Sequence, residues 1–381
     1  MTPLDIRVVE ADDGLSALAD DWDALFALSA PEQVFQSRLV LCHWAEHYLR
    51  AGDRPILLTG WRGDRLVMLW PLLMQQRHGL KQLGFMGMPI AQFCDVLLAP
   101  DEDAAELVST GWTAIEGLGP DLVSLDRLRA DSNVLKAPLP PLAILHRREE
   151  APHADLALRV GPDGPSQAYP PRERSNHRRR LRRLAEHGEI GFEEAAPGAE
   201  AGKLAHAAVR MKRQSLRRHG IVAPTVADPR FDAFFADLAA DPASPLRLSA
   251  IRRDGAPIAI DMSFDHAGTS FGHVLAVHPE HERGGVGRIL VHHSFASALK
   301  RGNTRFDLMP PAHDYKREHA DGFIVVTDFA LPMSRKGRLY CALRPWRIRP
   351  AVKAMLGRLP SPIARRLADW AHRDEVEPPR I

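Results

Sequence analysis

The feature that most constrains the fold is a glycine-rich stretch from Val277 to Phe295, VHPEHERGGVGRILVHHSF, which joins a strand pattern to a helical pattern. Three segments precede it, LRLSAIRR, PIAIDMSFD and TSFGHVLAV, and their short turns and apolar residues predict an antiparallel meander. The first turn of a helix leaves backbone amides unpaired, and glycines let an anion approach them without meeting a Cβ atom. The stretch therefore predicts a helix entry that can hold a phosphate, although its spacing alone leaves a ligand-free turn equally open.

Two common nucleotide-binding motifs do not fit this stretch. A Walker A loop needs GxxxxGK[ST], and no lysine follows these glycines. A Rossmann fingerprint needs GxGxxG after the first strand of a βαβ unit, whereas this loop follows a meander. The basic neighbours Arg283 and Arg288 nevertheless favour an anion.

The order of elements is repeated in the two halves of the chain. In each half a hairpin is followed by a further strand, a loop, a helix and a final strand; in the first half these include PILLTGW, LVMLWPLLM, CDVLLAP and DLVSLDRL. The length of 381 residues also exceeds one ordinary core. We expect an α/β (α+β) protein with two similar domains, 1–150 and 151–335, each a mixed and mainly antiparallel sheet flanked by helices. A basic amphipathic helical tail, 336–381, should follow them.

Composition argues against several classes of protein. Basic and acidic residues number 50 and 48, so the net charge of +2 gives no whole-chain argument for nucleic acid. The cysteines Cys42, Cys94 and Cys341 lack CxxC spacing, which argues against a zinc site or a disulfide framework. The N-terminus lacks the apolar run of a secretory signal, and no window approaches the roughly 18 apolar residues of a membrane span. We expect a soluble, cytoplasmic protein without a metal.

The meander, glycine loop, helix and strand resemble the core of the GCN5-related N-acetyltransferases (GNAT), whose pyrophosphate loop follows a [QR]xxGx[GA] pattern. Here residues 282–287, ERGGVG, supply both glycines, and Glu282 stands at the first position. Most of the chain resembles the CelD-like acetyltransferases, named for cellulose biosynthesis and related to Fem-type peptidyltransferases, both understood as tandem GNAT folds. The likeness is carried by VFQS, GFMGMP before Cys94-Asp95, RSNHRRRLRRL, GAPIAIDMSF and FDLMPPAHDYKREHADG.

The resemblance implies an acyl-CoA cosubstrate, such as acetyl-CoA, bound in the second half. The corresponding loop of the first half, LLAPDEDAAEL, has no glycine and carries Asp101, Glu102 and Asp103, which cap a helix well but would repel a pyrophosphate. We therefore expect acyl-CoA only in the second half, with the first half shaping the acceptor site or acting structurally. The residues expected to hold the cosubstrate are Val277, Arg283, Gly284, Gly285, Val286, Gly287 and Arg288.

Four residues are candidates for the chemistry of acyl transfer to an amine. Asp261 interrupts the apolar strand IAIDMSF, where a carboxylate is costly without a partner, so it is either a general base or the partner of an arginine. His273 on the next strand could share its face and act as a base, or pack in the core. By the resemblance, Tyr315 would protonate the leaving thiolate, and Lys316 would stabilise the oxyanion or bind an acceptor phosphate. The alternative for Lys316 is a surface ion pair with a neighbouring carboxylate.

Acceptor contacts are expected at Arg174 and Arg178 of the basic helix RERSNHRRRLRRL, whose arginine forks suit an anionic glycan or sugar nucleotide, and at Asp95. A solvated charged face is the alternative for the helix. His292 and His293 are adjacent on a helix, face different sides and do not predict a metal pair. Nucleic acid is not an expected partner, since aromatic residues do not interleave the basic ones. The tail could contact a membrane surface or a synthase, or pack on the second domain.

Three functions follow as alternatives. The first is an N-acyltransferase that moves an acyl group from acyl-CoA to an amine, such as an amino sugar in envelope or exopolysaccharide metabolism. The second is a Fem-like transferase that uses aminoacyl-tRNA, although the coiled-coil insertion of some Fem proteins is not evident. The third is a non-catalytic accessory protein of polysaccharide synthesis; the glycine loop argues against it, and Glu282 allows it.

Overall fold

The computed structural model describes residues 3–10 and 15–343. These residues divide into two compact units. The first unit comprises the described residues up to Ala151 and resumes at Ile324, and the second unit is Pro152–Phe323. The described residues 324–343, which were expected in the second domain or the tail, thus cluster with the first unit. Beyond Leu343 the expected basic tail lies outside the described residues.

Two helices of the first half begin after residues whose side chains cap them. Its helices are α1 (Ala19–Phe26), α2 (Arg38–Tyr48) and α3 (Ala104–Gly117), with 3-10 turns at Pro31–Gln36 and Asn133–Lys136. Ser37 caps α2 by accepting from the backbone N–H of Val40, and Asp103 caps α3 by accepting from Ala105 and Glu106. Its strands are β1 (Leu4–Glu10), β2 (Arg54–Arg62), β3 (Arg65–Arg77), β4 (Leu80–Phe85), β5 (Leu97–Leu98), β6 (Leu122–Arg129) and β7 (Ile144–Asp155).

The second half contains the predicted basic helix, the meander and the helix after the glycine loop. Its strands are β8 (Val160–Gly161), β9 (Gly164–Pro165), β10 (Ile190–Ala195), β11 (Leu246–Arg253), β12 (Ala256–His266), β13 (Thr269–Val277), β14 (Arg305–Asp307) and β15 (Gly322–Pro332). Its helices are α4 (Leu156–Arg159), α5 (Pro171–Ala185), α6 (Ala199–Arg218), α7 (Pro224–Ala227), α8 (Pro229–Ala240), α9 (Val286–Lys300), α10 (Asp314–Arg317) and α11 (Arg335–Leu343), with a 3-10 turn at Pro279–Gly284.

The two units repeat one topology. In the first, β1, β2, β3 and β4 pair antiparallel in sequence order, and β4 pairs parallel with β6 after the crossover helix α3. In the second, β10, β11, β12 and β13 pair antiparallel in the same way, and β13 pairs parallel with β14 after α9. The expected mixed α/β fold, in which helices flank a mixed sheet, is confirmed.

The strand after this shared core differs in origin between the two units. In the first unit β6 pairs antiparallel with β15, through residues that include Val326 and Pro332. In the second unit β14 pairs antiparallel with the end of β7, from His153 to Asp155, which directly precedes α4. Of the two, the first unit completes its sheet with a strand that lies far from the rest of that unit in sequence.

Helices cover both faces of the sheet in the second unit. On one face α9 packs its buried Ile289 and Leu290 against Ala259 of β12. On the other face Phe235 of α8 contacts Phe264 of β12, with ring centroids 6.3 Å apart. Because successive side chains of a strand point to opposite faces, β12 presents two different sets of residues to these helices.

Within residues 3–10 and 15–343, no helix is long and apolar enough to cross a bilayer.

Candidate functional site

The sheet of the second unit opens between β13 and β14. The two strands pair only where Thr269–Phe271 meets Arg305–Asp307, whereas β13 continues to Val277. Opposite β12, the register of β13 shifts between the pairs Met262–Val274 and Ser263–Gly272, so His273 is the extra residue of a β-bulge. A strand that bends and parts from its neighbour leaves backbone amides and carbonyls available to a ligand.

The glycine loop forms a helix entry in the left-handed region. The 3-10 turn Pro279–Gly284 leads to Gly285, whose φ of 73° and ψ of 22° suit a residue without a Cβ atom. Gly285 is the N-cap of α9 and has no side chain to accept from the first amides of the helix. These amides, together with the helix dipole, form an anion-binding geometry.

A side chain of the basic helix lies across this entry. A Cβ atom added at Gly285 would lie 2.9 Å from Cδ and 3.0 Å from Nε of Arg180. At Gly287 an added Cβ atom would meet Cγ2 of Val277 at 3.5 Å, an ordinary contact. Gly285 therefore admits both the turn and the arginine, whereas Gly287 has room for an alanine.

Arginines from four elements surround the helix entry. A groove of 540 Å³ runs past Gly284, Gly285 and Val286, and Glu280 is the one carboxylic acid lining it among the described residues. The predicted Arg283 and Arg288 line it, and four arginines that the sequence analysis did not assign join them. The arginines of the groove are Arg179, Arg180, Arg183, Arg253, Arg283 and Arg288. The groove is therefore strongly electropositive, and its guanidinium groups have the geometry that suits a phosphate.

Two arginines of the groove, Arg180 and Arg288, lie close to glutamates. Arg288 pairs with Glu318, and its guanidinium also lies 3.7 Å from Glu173. Arg180 lies 3.7 Å from the same Glu173 carboxylate. These contacts partly neutralise the two arginines closest to the start of α9, and they fix their side chains beside the loop.

Glu282, which departs from the family pattern, binds α6. Its Oε1 accepts from the hydroxyl of Ser215 at 2.6 Å, and its Oε2 lies 3.6 Å from Nε2 of His219. Its charge also acts on Lys212, whose Nζ donates to the carbonyl of Leu275 at 3.3 Å. Burial lowers the pKa of Lys212, and the charge of Glu282 opposes that shift. The carboxylate thus anchors the loop to α6.

Asp261 is buried on the face of β12 that carries α9. Its carboxyl group is 3% exposed, and Oδ2 accepts from the hydroxyl of Ser263 at 2.7 Å. Among the described residues Oδ1 is buried and makes no hydrogen bond of normal length, and the hydroxyl of Ser294 also stabilises the ionised carboxylate. Burial raises the pKa of Asp261 to about 6, and the Ser263 hydrogen bond opposes that shift. A carboxylate in this state is a stronger base than an exposed aspartate.

Tyr315 lies close enough to Asp261 for their charges to interact. Burial of the phenol and the carboxylate of Asp261 together raise the pKa of Tyr315 to about 12, although 38% of the residue is exposed. The hydroxyl is therefore protonated at neutral pH and available as a donor.

Lys316 is buried, in contrast to the surface ion pair considered as its alternative. It is 8% exposed, and its Nζ donates to the carbonyl of Met309 at 2.8 Å. The backbone N–H of Met309 in turn donates to Asp307 at 2.7 Å. The lysine holds the segment between β14 and α10, and thereby the position of Tyr315; the direct roles suggested for Lys316 stay predictions.

His273 does not share a face with Asp261. Its ring packs against Phe235, Phe264 and Phe231, at centroid distances of 5.0, 5.6 and 6.3 Å. These rings belong to the side of the sheet that carries α8, whereas Asp261 faces α9. Of the two alternatives stated for His273, packing in the core fits this position, and a shared face does not, because the bulge changes the alternation of β13. A catalytic role for His273 is still a prediction.

A second cavity of 270 Å³ shares Arg180 and Arg288 with the groove. In this cavity the hydroxyl of Tyr169 forms a hydrogen bond of 2.8 Å with Nδ1 of His319. His292 lies edge-on to His319 at 5.1 Å, while the adjacent His293 packs against Phe192 instead. Burial lowers the pKa of His319 to about 4 and that of His292 to about 2, so both rings are neutral near pH 7. The two adjacent histidines thus have separate surroundings.

The residues predicted to contact an acceptor lie elsewhere. Arg174 and Arg178 line a third groove, of 500 Å³, beside the β8–β9 hairpin. Asp95 belongs to the first unit, where its buried carboxylate accepts from the backbone N–H groups of Asn133 and Val134 at 2.8 and 3.0 Å. Burial raises the pKa of Asp95 to about 7 against these hydrogen bonds. An acceptor contact at any of these residues stays a prediction.

In the first unit, the acidic loop that carries Asp101, Glu102 and Asp103 forms ion pairs with arginines of β2 and β3. Asp101 pairs with Arg65 at 2.6 Å, and Glu102 pairs with Arg62 at 3.2 Å. Asp103 caps α3 through its side chain. All three carboxylates thus have structural partners at the position where the second unit has glycines, which supports the prediction of a single cosubstrate site.

One histidine and glutamate group lies beside the loop. His278, Glu280 and His281 each place one ligand atom within 4.8 Å of the others. The guanidinium of Arg253 lies 3.4 Å from Nε2 of His281, and this positive charge opposes a cation there.

Comparison with known families gives one match. Residues 171–317 match the family model described as "Acetyltransferase (GNAT) domain". The match lies within the second unit. It begins at the first residue of α5 and ends at the last residue of α10, so the matched segment includes the arginine groove, Asp261 and Tyr315. No curated protein matches the chain in sequence.

Solved structures of similar fold cover most of the chain. The C-terminal domain (DUF2156) of a protein described as a lysylphosphatidylglycerol synthetase from Agrobacterium fabrum aligns with a TM-score of 0.52 at 12% identity, over 86% of this chain and 96% of that one. FemX aligns with a TM-score of 0.52 at 10% identity, over 79% and 93%. A conserved protein of unknown function from Bacteroides thetaiotaomicron VPI-5482 aligns with a TM-score of 0.50 at 12% identity, over 85% and 100%. At these identities the likeness shows the fold alone.

The sequence analysis missed residues whose role depends on tertiary packing. Arg179, Arg180 and Arg183 belong to the helix it singled out, but it chose Arg174 and Arg178 on that helix instead. The i, i+3 and i, i+4 spacing of the three groove arginines places them on one helix face and was a usable signal. The contribution of Arg253 from the end of β11 had no local signal.

Proposed function

We propose that the protein is an acyl-CoA-dependent N-acyltransferase whose active site lies in the second unit. The observation that carries this proposal is the arginine-lined groove at the glycine-capped start of α9, at the end of the strand that parts from β14. Backbone amides and arginines in that groove suit the pyrophosphate of a CoA ester. The opening between the strands suits the extended arm that carries the thioester.

The chemistry assigned to the side chains is proton transfer. The neutral amine nitrogen bonds to the thioester carbonyl carbon, and a backbone N–H of the bulged strand β13 donates to the oxygen that becomes negative. Formation of this bond makes the nitrogen acidic, and Asp261 then takes its proton, for which a carboxylate with a raised pKa is suited. The C–S bond breaks as Tyr315 donates its proton to the sulfur, which gives an amide and a free thiol. The proton held by Asp261 returns to Tyr315 through solvent.

The transferred group and the acceptor rest on the sequence resemblance. We propose an acetyl group and an amine of a glycan, such as an amino sugar of envelope or exopolysaccharide metabolism, as for the CelD-like proteins that the chain resembles. Release of free thiol with a panel of amino sugars and acetyl-CoA would measure this directly, since each transfer yields one thiol.

Binding of acetyl-CoA is the primary test. Isothermal titration should show binding to the wild-type protein and to Gly287→Ala, because a Cβ atom at this position meets only an ordinary contact. Gly287→Glu should abolish binding, since it adds a carboxylate beside the pyrophosphate. Asp101→Asn in the first unit is the matched control and should bind normally. A wild-type protein that binds neither acetyl-CoA nor free CoA would refute the proposal.

An aminoacyl-tRNA-dependent transfer is the second candidate, and the same groove favours it because tRNA also presents phosphates. The fold is shared with FemX, which motivates the comparison. Amide formation that needs aminoacyl-tRNA and is lost after ribonuclease treatment would favour this candidate. Thiol release from acetyl-CoA in the presence of ribonuclease would favour the first.

A further inference from the structure

The groove at the start of α9 carries more positive charge than a pyrophosphate requires. Among the described residues it is lined by six arginines and by His187 and His281, against the single carboxylic acid of Glu280. A pyrophosphate diester carries two negative charges. Glu318 pairs with Arg288, and Glu173 lies near both Arg288 and Arg180. Neither glutamate lines the groove. A surplus of unneutralised arginines therefore remains.

The surplus extends away from the helix entry. Arg180 lies over Gly285, at the position of the pyrophosphate. Arg183 follows three residues later on the same face of α5, and His187 four residues after that, so this row continues along the groove toward the end of the helix. Arg253 approaches the same groove from the end of β11. Two elements thus present guanidinium groups beyond the first anion site.

We propose that this part of the groove binds a second phosphate, the 3′-phosphate monoester on the ribose of CoA, through Arg183 and Arg253. The inference rests on the proposed function, because it assumes that acyl-CoA is the ligand. A phosphate monoester is nearly a dianion at neutral pH and offers three acceptor oxygens, which guanidinium forks bind in a bidentate manner. It is joined to the pyrophosphate by a single ribose, so one groove can hold both groups.

The consequence is discrimination between two natural forms of the cosubstrate. Acetyl-CoA carries the 3′-phosphate and acetyl-dephospho-CoA lacks it, while the thioester and pyrophosphate are the same. Hydrogen bonds to charged groups contribute enough to binding that loss of this phosphate should weaken affinity about tenfold or more. A row of arginines that forms only a solvated face would give no such difference.

The test is a double-mutant-type cycle, in which the affinities of the two ligands are compared for the wild-type protein and for its variants. Isothermal titration at fixed salt concentration and without acceptor measures these affinities. The wild-type protein should bind acetyl-CoA about tenfold more tightly than acetyl-dephospho-CoA. In Arg183→Gln the preference for acetyl-CoA over acetyl-dephospho-CoA should fall to about a third of the wild-type value or less, because only the binding of acetyl-CoA weakens. Arg253→Gln should lower the preference in the same way. Arg182→Gln is the matched control: it removes the same charge from the adjacent exposed position of α5, outside the groove, and should keep the full preference.

Four outcomes would overturn the inference. Equal binding of the two ligands by the wild-type protein would exclude a 3′-phosphate site while leaving the proposed function intact. Equal weakening of both ligands in Arg183→Gln would assign that arginine to the pyrophosphate. An unchanged preference in both variants would assign the 3′-phosphate to other residues. Binding of neither ligand by the wild-type protein would refute the proposed function itself, and the inference with it.

Discussion

Replacement of Gly285 by alanine tests the link between the fold of the loop and its arginine. Two costs follow from the structure. The backbone at this position has a φ of 73°, where a Cβ atom costs about 1–2 kcal/mol. The new Cβ atom would also lie 2.9 Å from Cδ of Arg180, so that this side chain must move.

The net magnitude is smaller than the sum of these costs. Alanine lowers the entropy of the unfolded chain relative to glycine, which returns about 0.4–1 kcal/mol. Displacement of Arg180 weakens a partly exposed contact with Glu173, worth at most about 1 kcal/mol. We expect Gly285→Ala to lower the free energy of unfolding by about 1–2 kcal/mol, or the melting temperature by about 2–4 °C per kcal/mol for a domain of this size.

Thermal and urea unfolding without ligand would measure the effect, with the adjacent glycine as control. Gly284 lies outside the left-handed region, and a Cβ atom there would meet only Cγ2 of Val286 at 3.7 Å. Gly284→Ala should therefore change stability by no more than about 0.5 kcal/mol. In an Arg180→Ala background the cost of Gly285→Ala should fall by about 0.5 kcal/mol or more, since the steric part is removed. Equal stability of the two alanine variants would refute the reasoning, and an identical cost in both backgrounds would refute the contact with Arg180.

Three further variants test the chemistry and the loop. Because burial raises the pKa of Asp261 to about 6, kcat/KM should rise with pH through about 6 and then level off as the carboxylate ionises. Asp261→Asn should lower the rate about 10²–10⁴-fold and remove this rise of kcat/KM with pH. A pH profile that is unaltered in the variant would exclude the residue as the base. Tyr315→Phe should lower kcat about 100-fold, with KM changed by less than about threefold, in a thiol-release assay, because the proton donor is lost and the ring is kept; a change in KM alone would assign the phenol to binding. Glu282→Gln keeps an acceptor for the Ser215 hydroxyl, so the Kd of acetyl-CoA should change by less than about threefold, and a tenfold gain would show that the carboxylate faces the phosphate.

The sequence predicted the parts of the site that are continuous in the chain. The meander, the glycine loop and α9 follow one another between Leu246 and Lys300, and their turn residues and periodicity specify each element locally. The position of Gly285 as a helix entry followed from the same local rules. The buried position of Asp261 was also predictable, because a single carboxylate interrupted an apolar strand.

The remaining features depend on contacts between distant segments. Whether Glu282 faces a phosphate or the hydroxyl of Ser215 is decided by the packing of α6 on the loop, 67 residues away in sequence. The bulge that turns His273 toward Phe235 is a property of strand pairing, and a regular alternation hides it. The burial of Lys316 had no local signal, because its acceptor, the carbonyl of Met309, has no signature in sequence.

The separation in sequence between β6 and its neighbour β15 has a consequence for synthesis of the chain. The ribosome completes β1 to β6 early, but the neighbour of β6 is β15, which ends only at Pro332. Until then the first unit has an unpaired edge at β6, and such an edge invites association with other chains. Expression of the first 150 residues alone should therefore give an aggregating product. A chain fused to supply Gly322–Pro332 after the first half would carry the missing strand and should remain in solution.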